Sequence, residues 1–227
     1  MRHEDEARAS VVSALRSTLF VTLQTDVVQP VSGALAVQDY TATVNVAWSP
    51  DEGPDVDLAA LSALADTDVQ GYLPELDHLL PDTLVLPVGE GTFTTADLWA
   101  PTCWDELAGR GHDAALVGGA LLGEAFNLAE LQAAFEIGLG RAVIVNSMEV
   151  VPEWRGAKYG LLALELGVRE LGKCADVAAL FPMEPNLEDL EAREAAARGL
   201  SDYWGQAGFV DFNGIMVKPL TSGESAV

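Results

Sequence analysis

The stretch from residue 141 to residue 182 constrains the fold more than any other. "RAVIVNSMEVV" (141–151) is apolar and β-branched, which is the composition of a strand. "YGLLALELGVRELG" (159–172) changes the period: Leu161, Leu164, Val168 and Leu171 recur at helical spacing, and Gly172 is a C-terminal stop. "DVAALFP" (176–182) is a nearly unbroken apolar run, as expected of a strand covered on both faces. Strand, helix and strand in that order describe a crossover between parallel neighbours, so the fold class is α/β (α+β), a sheet flanked by helices.

Other segments add to that sheet. The spacing predicts a helix over about 4–16 with Val11, Val12 and Leu15 on one face, and a β-rich stretch over 17–28. "TATVNVAW" (41–48) alternates as a strand, with Val44, Val46 and Trp48 on one face. Residues 56–80 read as two short helices hinged near Gly71, 83–88 as a short strand, and 95–110 as a helix disturbed at Pro101. Residues 114–138 are mostly helical, with Asn127 as a cap. Residues 187–208 read as a helix broken near Gly199, "VDFNGIMVK" (210–218) as one last strand, and 221–227 as a frayed tail.

At 227 residues and 49% hydrophobic, the chain can bury a core as one domain, or as one domain with an elaboration. Its formal charge of −23 opposes the basic footprint that nucleic acid requires, and disfavours anionic membranes. A cationic small molecule or peptide is the electrostatically easy partner, although such a charge speaks mainly to solubility. Cys103 and Cys174 have no CxxC spacing, and His3, His78 and His112 are scattered, so no metal site and no disulfide framework is expected. The acidic start "MRHEDEARAS" is not a signal peptide, and no apolar run approaches the roughly 18 residues of a membrane span. A cytoplasmic protein is the expectation.

The elbow between the first strand and its helix is where a phosphate would bind. Two familiar phosphate loops fail. "GGALLGEA" (118–125) has Glu124 where a Walker A loop needs its lysine, and no segment has GxGxxG spacing. "VVPEWRGAKYG" (150–160) instead resembles the acetyl-CoA-binding loop of the GNAT superfamily of N-acetyltransferases, V-x-P-E-[YW]-[RQ]-G-x-G-x-G. Val150, Pro152, Glu153, Trp154, Arg155, Gly156 and Gly160 fall on its positions. "YWGQAGF" (203–209) resembles a second family element, [FY]-Y-x-x-x-G-F, and the order of strands and helices between the two agrees. The resemblance covers about residues 140–218.

That resemblance implies a mixed, centrally splayed sheet in which 1–139 form its N-terminal part and a helical elaboration around the acceptor. Residues 140–220 would form the acyl-CoA half of the same domain. Arg155, Gly156, Ala157, Lys158, Tyr159 and Gly160 would then hold the diphosphate, because helix-start N–H groups and the helix dipole attract anions. Backbone groups near Met148 and Val150 would meet the pantetheine arm and the acetyl carbonyl, an N–H there stabilising the oxyanion. The implied activity is transfer of an acyl group from acetyl-CoA, as cosubstrate, to a primary amine of a small molecule or peptide.

The catalytic candidates are Glu149, as the base an alkyl amine of pKa near 10.4 needs, and Tyr203 as proton donor to the thiolate. Asn146, Ser147 and Glu184 are further groove candidates. Two positions depart from the pattern. Lys158 replaces the middle glycine, where its side chain either points outward or offers charge to the phosphates. Trp204 stands where many members carry the proton-donating tyrosine. The alternative reading is a non-catalytic module of the same fold with a degenerate site. Expected partners are acyl-CoA and the amine, with no nucleic acid and no membrane; a homodimer stays open.

Overall fold

The computed structural model describes residues 2–25, 36–49, 51–65, 83–122, 128–135, 140–183 and 189–220. Helix α1 (Arg2–Ala14) runs into a 3-10 turn at Leu15–Thr18, followed by β1 (Leu19–Gln24) and β2 (Val37–Trp48). Then come α2 (Leu58–Ala65), β3 (Leu84–Asp97), α3 (Cys103–Ala108), α4 (His112–Leu122) and α5 (Leu128–Phe135). Strand β4 (Arg141–Val150), α6 (Tyr159–Leu171), β5 (Val177–Leu180), α7 (Leu190–Gly205), β6 (Val210–Phe212) and β7 (Ile215–Pro219) complete the chain. The expected mixed α/β class is present: one seven-stranded sheet in the order β1-β2-β3-β4-β5-β7-β6.

The ladders explain how the central crossover sits. β4 pairs with β5 in parallel from Ala142↔Val177 to Val145↔Leu180, while β5–β7 and β6–β7 are antiparallel. Every residue of β5 is buried, as its unbroken apolar run requires. The ladder ends at Val145, yet β4 continues to Val150. Five residues of β4 therefore extend beyond the end of that ladder.

The chain divides into two compact units. The first comprises residues 1–23, 42–91 and 148–166, and the second 24–41, 92–147 and 167–227. In the first, Val11, Val12 and Leu15 from the N-terminal helix meet Val44 and Val46 of β2, Leu61 and Leu64 of α2, and Trp154 and Tyr159. In the second, Cys103 and Leu107 of α3, Val117 and Leu121 of α4 and Leu131 of α5 cover Ile144 of β4, Ala179 of β5 and Val217 of β7. No helix among the described residues is long and apolar enough to cross a membrane.

Several sequence expectations are corrected. The strand expected over 83–88 runs to Asp97, and the helix expected from 95 starts only at Cys103. Glycines at 89 and 91 had masked the alternation. Gly89 is a close-approach position, since a Cβ there would lie 2.4 Å from the Glu149 carbonyl oxygen. Asp97 ends the strand by accepting the Trp99 N–H on its side chain and the Ala100 N–H on its carbonyl. Helix α7 passes Gly199 unbroken, because that position faces open space and a lone glycine there only weakens a helix. The single strand expected over 210–218 is a hairpin turning at Asn213-Gly214, both at positive φ (53° and 86°). Asn127, Gly71, Glu184, His78 and the 221–227 tail lie outside the described residues.

Candidate functional site

The elbow after β4 belongs to the first unit and stands on apolar residues. Trp154 is fully buried, its ring edge-on to Tyr159 at 5.9 Å between centroids. Tyr159 is buried too, and its hydroxyl donates to the Val12 carbonyl oxygen at 2.6 Å. Burial pushes the phenol well above its ordinary value, so it stays protonated and holds the start of α6 onto α1. On this footing the chain turns outward. Pro152–Trp154 form a 3-10 turn, and the Val151 N–H donates to the Val88 carbonyl, fixing the end of β4 to β3.

The turn is made by two residues in left-handed backbone. Gly156 has φ +105°, and a Cβ built on it would meet nothing within 4 Å. Lys158 has φ +62°, which explains why the family pattern has glycine there: the backbone adopts the glycine shape, and the lysine bears its cost. The first α6 hydrogen bond runs from Leu162 N–H to the Lys158 carbonyl, so the amides of Tyr159, Gly160 and Leu161 have no carbonyl within the helix. Arg155, Gly156 and Lys158 are exposed, Ala157 is half-buried, and Tyr159 and Gly160 are buried. The solvent-facing part of the elbow is thus Arg155–Lys158.

Charge reinforces that surface. Arg155 Nε donates to the Val150 carbonyl at 2.9 Å, and its guanidinium lies 3.6 Å from the Glu149 carboxylate. Both side chains of this pair are largely exposed, so it contributes little to stability but brings two expected site residues together. Along the end of β4, Met148 and Val150 are half-buried against the core of the first unit, while Ser147 and Glu149 are exposed. The strand alternation places Glu149 on the opposite face from Met148 and Val150. Tyr203 belongs to the second unit, half-buried at the end of α7, with its ring 4.8 Å from that of Trp204.

The second unit carries a feature that the sequence did not announce. A cavity of about 700 Å³ opens among β2, β3, β4, the start of α4 and α7, and all of its walls belong to this unit. Asp39 of β2 is the hub of its polar wall. One carboxylate oxygen accepts Arg110 Nε at 2.7 Å, and the other accepts the Thr94 hydroxyl at 2.7 Å. Thr94 is fully buried and in turn accepts Asn146 Nδ2 at 2.9 Å. Beside it the hydroxyls of Thr92 and Ser147 share a 2.7 Å hydrogen bond. Asn146 and Ser147 were expected near a groove; Asp39, Thr94 and Arg110 were not. No local pattern marks them, since residues 39, 94, 110 and 146 come from four separate segments.

No family model matches the sequence, and no curated protein is similar to it. Solved structures are similar to part of the chain, two of them as follows, both at low identity. One is mosquito arylalkylamine N-acetyltransferase like 5b, 12% identical over 61% of this chain and 74% of that one, with a TM-score of 0.37. The other is a mutant of agmatine N-acetyltransferase in its apo form, 13% identical over 61% and 75%, with a TM-score of 0.34.

Proposed function

We propose that this chain is a cytoplasmic N-acyltransferase that moves an acetyl or other short acyl group from acyl-CoA to a primary amine of a small molecule or peptide. One observation carries the reading. β4 outruns its β5 ladder by five residues and leads directly into an elbow whose left-handed Gly156 and Lys158 precede amides that the helix cannot use. Strand backbone with no β5 partner suits the pantetheine amides, and the elbow suits a diphosphate, with Arg155 as its cation. The open space beside Gly156 is what a close-lying phosphate needs. Residues 140–220 supply this acyl-CoA half, and residues 1–139 shape the acceptor side.

In the proposed reaction the neutral amine nitrogen attacks the thioester carbonyl carbon. A C–N bond forms, and the oxygen becomes an oxyanion that a backbone N–H near Met148 or Val150 receives. The C–S bond then breaks. The proton leaving nitrogen goes to Glu149, directly or through water, and the thiolate takes one from Tyr203 or water. Alignment of the two substrates supplies much of the rate, so a solvent-facing base suffices. The alternative, a partner module without chemistry, draws on Lys158 and Trp204. Lys158 keeps the glycine backbone shape, which weakens that alternative.

Calorimetry with acetyl-CoA tests the proposal. The wild-type chain should bind it saturably, and Gly156→Glu or Arg155→Glu should lower affinity by at least about a hundredfold through charge repulsion and blocked approach. No binding at millimolar acetyl-CoA sinks the acyl-transfer reading. Binding without turnover of any amine favours the module.

A further inference from the structure

The charges around the second unit's cavity sort into one pair that is spent and one that is not. Arg110 and Asp39 are joined at 2.7 Å, and the remaining guanidinium nitrogens of Arg110 donate to the carbonyls of Glu106 and Val37. Asp39 also accepts from Thr94, so this pair is consumed by the fold. Asp113 and Arg193 line the same cavity. Among the described residues Asp113 has no ion pair or side-chain hydrogen bond. Among the described residues the Arg193 side chain has a single hydrogen-bond contact, a 3.7 Å approach to the thioether sulphur of Met183, which is a weak acceptor, and its buried Nε has no partner among them. The two opposite charges do not pair with each other.

The neutral wall adds an unmet acceptor. The chain of bonds from Arg110 through Asp39 and Thr94 fixes the Asn146 amide with Nδ2 toward Thr94, the orientation being assigned from these hydrogen bonds. Its Oδ1 is left buried and without a donor among the described residues. A cation alone would answer Asp113 and Asn146 but leave Arg193 unmet and repelled. An anion alone would do the reverse. A ligand that carries both an ammonium and a carboxylate answers all three, and about 700 Å³ is ample for one.

We infer that this cavity binds a small zwitterion of the amino-acid class, its carboxylate received by Arg193 and its ammonium directed to Asp113 and Asn146 Oδ1. On the acyl-transfer reading, on which this last step rests, such a molecule is the acceptor. The cavity thereby narrows the cationic acceptor suggested by the net charge: the bulk surface is acidic, but the cavity wall is balanced.

The test uses the full chain without acyl-CoA. Free proteinogenic amino acids are titrated singly by calorimetry, and for each binder the decarboxylated amine and the N-acetylated form are titrated as well. At least one amino acid should bind at millimolar concentration, and both altered forms should bind at least about tenfold more weakly. Arg193→Met should weaken the amino acid by about tenfold and leave the amine unchanged, whereas Asp113→Asn should weaken both. Arg193→Lys, which keeps the charge, should retain part of the affinity and covers the case in which Arg193→Met does not fold. The inference is overturned if no amino acid binds, if the amine binds as tightly as the amino acid, or if neither Arg193 variant changes the affinity. Because acetyl-CoA is absent, those results leave the diphosphate elbow standing. Amino-acid binding without acetyl-CoA binding would instead keep the cavity and remove the transfer.

Discussion

The two units build their sites from different parts of the polypeptide. In the first, the elbow at 155–160 offers mainly backbone: left-handed residues, amides ahead of the first helical bond, and a footing of Trp154 and Tyr159. In the second, the cavity offers side chains held by one another, Arg110 on Asp39, Asp39 on Thr94, and Thr94 on Asn146. A backbone site is set by a few consecutive residues and tolerates changes of side chain; Lys158 in place of glycine is such a change. A side-chain network tolerates fewer, because losing one member strands its neighbours in a buried environment.

The sharpest way to break that comparison is to remove the footing. Trp154→Ala deletes a fully buried indole and should cost about 4 kcal/mol, read by urea unfolding. A loss below about 1 kcal/mol would mean that the elbow does not depend on it.

Next in size is a contrast in alkali. Burial, with the charges of Asp97 and Glu106 adding to it and Arg110 opposing, raises the Cys103 thiol of the second unit from 9.0 to about 11. A folded value above the unfolded one gives stability that is complete below 9.0 and lost as pH rises to about 11, on the order of 2–3 kcal/mol. Tyr159 of the first unit is also raised by burial, so its loss begins only above 10.0. Unfolding free energies measured against pH should fall less steeply from 9.0 in Cys103→Ala, and less steeply only beyond 10.0 in Tyr159→Phe. Identical slopes in all three proteins would contradict both assignments.

The smallest effect sharpens the backbone side. Lys158→Gly relieves a left-handed non-glycine residue and should stabilise the chain by about 1 kcal/mol. Acetyl-CoA calorimetry on the same variant asks whether the lysine charge contributes to the elbow. Tighter binding assigns its side chain outward, and weaker binding assigns it to the phosphates.

How much of this was legible follows from the same contrast. The β4–α6–β5 crossover could be read because each element announces its own period, and the elbow could be read because its spacing is local. Leu161, Leu164 and Val168 are buried as their stripe requires. The hairpin was readable and missed: Asn213-Gly214 between apolar residues is a turn signal in its own right. The length of β3 was hidden by Gly89, whose reason for being glycine lies on another strand.

By itself, then, the sequence determined the α/β class, the central crossover and the position of a helix-start elbow, since consecutive residues dictate dihedral preference and periodicity. Only the tertiary structure decided that β4 extends past its partner, that Glu149 meets Arg155, and that Asp39, Thr94, Asp113, Asn146 and Arg193 line one cavity. Those facts depend on which distant segments the sheet brings side by side, and spacing along a chain carries no record of that.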